Sequence, residues 1–274
     1  MKKMSLTCIA ILMIAVICIG SFYVSSSAAS TSNSIDSQKR YATVYGYNYS
    51  YWSRMTRILN SSLVAGTVVK CTSNVPIGNI GEVARLYLEN DPNDKILLTS
   101  TPMTYNTNSV SANTEFVVSC MIAGQSGQYY FSQGLTRFYN ENDYLGDYVC
   151  CRTANMGLSS SKSSENSVVN EKTNNSVNAD DKPTKNITGY ILAKGVNGRI
   201  GYVKESDLEN DQARSPEEAM LYMQKLREDY ENGVVMEIPV YAADCETIID
   251  AFVISYPLIW EDGEWVDLSG NSVK

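Results

Sequence analysis

Between Leu63 and Cys151 the chain repeats one pattern seven times, a run of five to nine residues rich in β-branched and aromatic types, closed by Gly, Asn, Asp or Pro. The runs are Leu63–Cys71, Glu82–Leu88, Lys95–Ser100, Thr114–Ile122, Gln128–Ser132, Leu135–Asn140 and Tyr144–Cys151. β-Branched and aromatic side chains fit a pleated, half-buried surface, and the closing residues supply tight turns. Short strands at this regular spacing predict a mostly β fold, an antiparallel sandwich or barrel. Alternation within a run agrees. In Glu82–Leu88, residues Ala84, Leu86 and Leu88 share one face while Val83, Arg85 and Tyr87 share the other.

From Leu158 to Asn186 the composition turns to Ser, Asn, Lys, Glu, Asp and Thr, with hardly an apolar residue beyond Val168, Val169 and Val177. Such a run buries too little surface to offset its ordering entropy, and it reads as a flexible linker. Beyond it the pattern is hairpin, helix, hairpin. Tyr190–Lys194 and Arg199–Lys204 flank Gly195-Val196-Asn197-Gly198, and Asn-Gly tolerates the positive φ of a tight turn. Ser215-Pro216-Glu217-Glu218 then offers an N-cap serine, a proline in the first turn and a capping-box glutamate. Ala219, Met223, Leu226 and Tyr230 follow at helical spacing, Asn232-Gly233 stops the helix, and Val234–Tyr241 with Thr247–Ser255 make a last strand pair. The expected organisation is a leader over 1–29, a sandwich-like domain over 30–157, a linker over 158–186 and a small α+β module over 187–274.

The last segment resembles a small extracellular module of uncharacterised secreted or membrane-anchored proteins from Gram-positive bacteria. The residues that carry the likeness are Gly189–Ala193, Gly198–Val203 with Asp207-Leu208, Ser215–Ala219, Ile238-Pro239-Val240-Tyr241 and Thr247–Phe252. Asp244-Cys245 stands where such a module has Asp-Gly, whose glycine supplies a positive φ. Gly198–Leu208 is also similar to part of a bacterial SH3-like repeat, and Gly78–Leu88 with Tyr129–Asn140 is similar to small secreted β proteins of the same bacteria. These resemblances imply export and a β fold, and they bring no activity, catalytic residue or cofactor.

The N-terminus supports export independently. Lys2 and Lys3 precede an apolar stretch from Leu6 to Val24 and then Ser25-Ser26-Ser27-Ala28-Ala29, the order of a secretory signal cut after Ala29. The stretch is also long enough for an uncleaved anchor, the one membrane attachment expected here. Either way the expected location is secreted or on the outer face of the membrane. Residues 1–29 hold two lysines and no acid, so removing them takes the formal charge from −8 to −10. An acidic chain lacks the cationic footprint that neutralises phosphates, so nucleic acid is not an expected partner.

Histidine is absent from all 274 residues. That removes Ser-His-Asp and Cys-His nucleophile systems and His-ligated metals. Carboxylate pairs and Ser-Lys pairs survive, but no Ser-x-x-Lys lies in a predicted folded region. Outside the leader there are five cysteines, Cys71, Cys120, Cys150, Cys151 and Cys245, without zinc spacing. Cys71 and Cys120 both fall on apolar strand faces. They are the candidate disulfide, against the alternative of two buried free thiols. Adjacent Cys150 and Cys151 point to opposite strand faces and lack redox Cys-x-x-Cys spacing.

Tyr41–Trp52 is the most unusual local pattern. As one strand it would place Tyr41, Tyr45, Tyr47, Tyr49 and Tyr51 on a single face, making Tyr45, Tyr47, Tyr49 and Tyr51 candidates for stacking on sugar rings or a protein surface. The alternative is a tyrosine-covered sheet face. The second aromatic cluster, Tyr129 to Tyr148, reads as core. Two acidic turns, Glu89/Asp91/Asp94 and Glu141/Asp143/Asp147, lack EF-hand spacing and read as solvated turns; no metal or cofactor is expected. The function these readings favour is a secreted or cell-surface, non-enzymatic interaction protein whose partner is an extracellular protein or cell-wall glycan. Its rivals are an extracellular carboxylate-dependent glycan hydrolase and a sensor or toxin ectodomain.

Overall fold

A computed structural model describes residues 33–58, 62–91, 94–158, 187–209, 213–261 and 263–273. The leader 1–29 and the linker up to residue 186, Leu158 apart, lie outside the described residues. The fold is mostly β, and among the described residues none of its sheets closes into a barrel. The seven-stranded sheet grows from a long hairpin of β3 (Tyr47–Ile58) and β4 (Ser62–Cys71). Its order is β1 (Asn33–Asp36), β3, β4, β9 (Glu115–Ala123), β18 (Leu258–Glu261) and β19 (Glu264–Val266), with β2 (Arg40–Val44) also paired to β3.

A four-stranded sheet runs β12 (Tyr144–Val149), β11 (Leu135–Tyr139), β5 (Ile80–Val83), β8 (Thr104–Tyr105). An eight-stranded sheet runs β13 (Met156–Gly157), β10 (Tyr129–Ser132), β6 (Arg85–Asp91), β7 (Asp94–Ser100), β14 (Tyr190–Lys194), β15 (Ile200–Lys204), β16 (Met236–Tyr241), β17 (Ile248–Ile254). Two helices, α1 (Glu205–Leu208) and α2 (Pro216–Glu231), follow β15.

Side-chain hydroxyls tie the layers together at close range. Thr67 Oγ1 of β4 donates to the Val83 carbonyl at 2.7 Å, and the Gly134 N–H donates to Ser53 Oγ at 3.1 Å. The approach requires glycine, because a Cβ on Gly134 would lie 1.7 Å from Thr67 Oγ1.

The expected division into two modules does not describe this arrangement. The described residues, from Asn33 on, fall in one compact unit. β14 joins β7 in parallel through Ala193 and Leu97, and β18 joins β9 through Leu258–Ser119 and Ile259–Val118. Ala219, Met223 and Leu226 of α2 share a core with Ile80, Met103 and Tyr105. The physical reason is edge pairing: β7 and β9 would otherwise present unpaired N–H and C=O groups, and the later strands satisfy them.

Local readings of the last segment hold. Ser215 caps α2 in an extended conformation, its Oγ accepting from the Glu218 N–H at 3.3 Å. Glu218 Oε2 accepts the Arg214 N–H at 2.8 Å, one residue earlier than in a standard capping box. Gly233 follows the helix with φ 67°. Gly198 takes φ 84° in the β14–β15 turn, which buried Asp250 grips by accepting from Asn197 N, Asn197 Nδ2 and Arg199 N. Cys245 takes φ 60°, the left-handed conformation a glycine would adopt without strain.

Candidate functional site

The strongest concentration of buried charge lies where β11 and β12 slip register. Between Thr136 and Phe138 the pairing skips, so Arg137 faces the bulge formed by Gly146 and Asp147. There Arg137 Nε donates to Asp147 Oδ1 at 2.5 Å. From the chain after β15, Glu209 at the end of α1 reaches into the same place. Its Oε1 accepts from Arg85 Nη2 at 2.8 Å, and its Oε2 lies 3.6 Å from Arg137 Nη2. Arg137 thus stands between the Asp147 and Glu209 carboxyls, bonded to the first and close to the second.

Burial grades across this cluster, with side-chain exposures of 6% for Arg85, 14% for Glu209, 16% for Arg137 and 29% for Asp147. Arg85 Nε is buried without a hydrogen-bond partner. The two carboxyls respond in opposite directions. Burial pushes Glu209 up, Arg85 opposes that, and contact with Asp147 adds to it, leaving Glu209 above the ordinary carboxylate value. Burial is the largest single influence and works against ionised Asp147, but the hydrogen bond and charge of Arg137, joined by the Arg85 charge, together outweigh it and hold Asp147 below its ordinary value. Of the two, Glu209 is the carboxyl more readily protonated.

Arg137 and Asp147 also line a groove of about 630 Å³, with Asp143, Tyr144, Gly146, Ala213, Arg214 and Glu218. One wall is the outer edge of β12 and the other is the approach to α2 with its first turn. The volume falls in the range of small-ligand sites, roughly 300–1,000 Å³. A smaller cleft of about 260 Å³, with Leu98, Ile122, Lys194 and Phe252 in its lining, has fewer charged groups.

The tyrosine row does not form as expected. Tyr45 and Gly46, at φ 49° and 79°, make a two-residue turn between β2 and β3, so the segment folds back on itself instead of running as one strand. Tyr41 and Tyr45 are exposed and Tyr47 is half-buried, but Tyr49 and Tyr51 are core residues. Tyr49 stacks on Phe138 with ring centroids 4.0 Å apart, and Tyr51 packs edge-on against Phe138 and Tyr148. An exposed four-tyrosine platform is absent, because inward-facing positions of β3 meet the four-stranded sheet.

Nor do Cys71 and Cys120 form the expected bridge. Both are buried free thiols, as is Cys150, while Cys151 and Cys245 are half-buried and free. The antiparallel register pairs Cys120 with Ala65, six residues along β4 from Cys71. At 3.3 Å per residue that is about 20 Å, against a disulfide Cα separation of about 4.4–6.8 Å.

The acidic turns are engaged locally. Glu89 receives both ends of the Arg152 guanidinium, Glu141 accepts the Tyr45 hydroxyl, and Asp143 accepts the Tyr144 N–H. The side chains of Asp91 and Asp94 lie outside the described residues. Among the described residues no group of three His, Cys, Asp or Glu is placed to hold a metal.

The sequence reading missed Arg85, Arg137 and Glu209, which sit on three elements far apart in the chain. It also missed Glu82, fully buried in β5, whose Oε2 accepts the Val118 N–H at 3.0 Å while Oε1 has no partner. A signal for Glu82 existed: it shares strand parity with Ala84 and Leu86, the apolar phase. Comparison with protein-family models, curated proteins and solved structures finds no match for this chain.

Proposed function

We propose that this chain is an exported, non-catalytic interaction protein that engages an extracellular protein or cell-wall glycan in the groove between β12 and the first turn of α2. The observation that carries the reading is that each of the two carboxyls is held by an arginine, Glu209 by Arg85 and Asp147 by Arg137, with Arg137 standing between them. Glycoside hydrolysis needs two carboxyls about 5–9.5 Å apart, with the scissile bond or a water between them. Here each carboxyl is occupied by an arginine and Arg137 fills the space between them, where a scissile bond or a water would have to sit. Groups held by such ion pairs present a pre-ordered polar surface in either arrangement, which favours recognition because little side-chain freedom is lost on binding.

Both signs of charge line the groove, so a polar ligand fits it better than an apolar one. The acidic whole, at −8 formal charge, favours a cationic segment on the partner. Calorimetry and amide-shift mapping with cell-wall peptide and glycan fragments test the reading, alongside pull-downs from secreted proteins. The expected result is saturable binding that perturbs Gly146, Asp147, Arg214 and Glu218 without turnover of any glycan. Release of reducing sugar, or binding that maps elsewhere, would overturn it.

A further inference from the structure

We propose that Glu209 is a proton-operated latch on this groove. Protonated, it leaves Arg137 clamped on Asp147; ionised, it draws Arg137 to itself and leaves the Asp147 carboxylate facing the ligand. The inference rests on the groove being the binding site and adds its regulation.

The geometry supplies both positions. Arg137 has one nitrogen, Nε, on Asp147 at 2.5 Å and a second, Nη2, poised 3.6 Å from Glu209 Oε2, outside hydrogen-bond range. A movement of well under 1 Å converts that approach into a charge-assisted bond. Arg85 fixes the other carboxyl oxygen of Glu209 at 2.8 Å, so the oxygen left to change partners is Oε2. Glu209 is itself the C-cap of α1, with its N–H donating to the Glu205 carbonyl, so its backbone is held while its carboxyl switches.

The groups facing the latch come from five elements. They are Arg85 and Tyr87 of β6, Tyr105 of β8, Arg137 of β11, Asp147 of β12 and Glu205 of α1. Two fixed cations and one ionised Asp147 surround Glu209, and its burial is what opposes ionisation. The opposite displacements of Glu209 and Asp147 agree with an acid and base assigned within one pair. Loss of the Glu209 proton makes the groove wall one unit more negative, so a cationic ligand gains affinity as pH rises.

Carboxyl ¹³C NMR titration of the full chain tests the latch without a ligand. Glu209 is expected to titrate above the ordinary value of 4.5, with the amides of Gly146 and Asp147 shifting at the same midpoint. Glu209→Gln, which keeps a donor and stays neutral, should abolish that step, and Asp147→Asn should move the Glu209 midpoint down. Groove amides that ignore the Glu209 midpoint, or a step that survives in Glu209→Gln, would overturn the proposal. A tetralysine peptide then serves as probe: the wild type should tighten about two- to fivefold across the midpoint, the scale of one exposed ion pair, and Glu209→Gln should not respond. An intact titration step without tetralysine binding upholds the latch and sinks the groove reading instead.

Discussion

Replacing Glu82 by Gln should remove one source of the stability that the wild type loses as pH rises. Glu82 lies in β5 between Thr136 and Thr104 in register, fully buried, with Val118 donating to one oxygen and nothing on the other. Burial holds its carboxyl well above the ordinary value of 4.5, while the Val118 bond pulls weakly the other way. A carboxyl whose folded pKa is raised contributes stability that is fully present below the unfolded value and is lost as pH rises through the folded one. Between those two values folding takes up one proton, and stability falls by about 1.4 kcal/mol per pH unit. The Glu82→Gln side chain keeps the acceptor for Val118 and the shape, and carries no titrating proton.

Urea unfolding of both proteins from pH 4.5 upward measures the difference directly. It should lie within about 1 kcal/mol at the acid end and widen in favour of Glu82→Gln by about 1.4 kcal/mol per unit, levelling off at the folded pKa. Glu209, with the same sign, and Asp147, with the opposite sign, are present in both proteins and cancel. A difference that stays flat with pH would refute the claim that this carboxyl is buried protonated.

Cys245→Gly should stabilise the protein by about 0.5–1 kcal/mol, because glycine takes φ 60° without the Cβ penalty of about 1–2 kcal/mol, partly offset by its looser unfolded chain; thermal unfolding reads the gain, and a loss would show the turn is unstrained. Under native conditions iodoacetamide should modify Cys151 and Cys245 alone, with Cys71, Cys120 and Cys150 reacting only after unfolding. Burial raises the Cys120 thiol to about 12, so it resists as a poor nucleophile as well as an inaccessible one. Intact mass before and after denaturation counts the adducts.

The fold class was legible because alternation reports burial directly. The capping serine, proline and glycine around α2 were legible because each acts through its own backbone. What alternation does not report is which strand lies alongside which. Glu82–Leu88 looked like one strand with a single apolar face, yet it splits at Ala84 into β5 and β6 of different sheets, and Arg85 and Tyr87 on its other face are buried too. Tyr41–Trp52 looked like one strand because Tyr45 is an unusual residue for a left-handed turn, and only Gly46 signalled the reversal. The disulfide expectation failed on register, which a face assignment leaves free by any even number of residues. The site was hidden for a similar reason. Glu209 meets Arg85 across 124 positions, and each alone reads as an ordinary surface charge.

The same long-range closure predicts what happens when the chain is cut between residues 157 and 187. A fragment of residues 30–157 would expose the free edges of β7 and β9, which β14 and β18 pair in the intact protein. It would strip Arg85 of its Glu209 partner. It would also lose Met223, Leu226, Ile259, Val266 and Leu268 from the shared core. At about 1.5–3 kcal/mol for each buried side chain, their sum rivals the entire net stability of a domain, about 5–15 kcal/mol. The fragment should therefore show no cooperative unfolding transition by itself, and mixing it with residues 187–274 should restore one as the two pieces reassociate. A fragment 30–157 that melts cooperatively alone would mean that the strands and helices added after residue 187 decorate a finished domain, and that the core they join was closed without them.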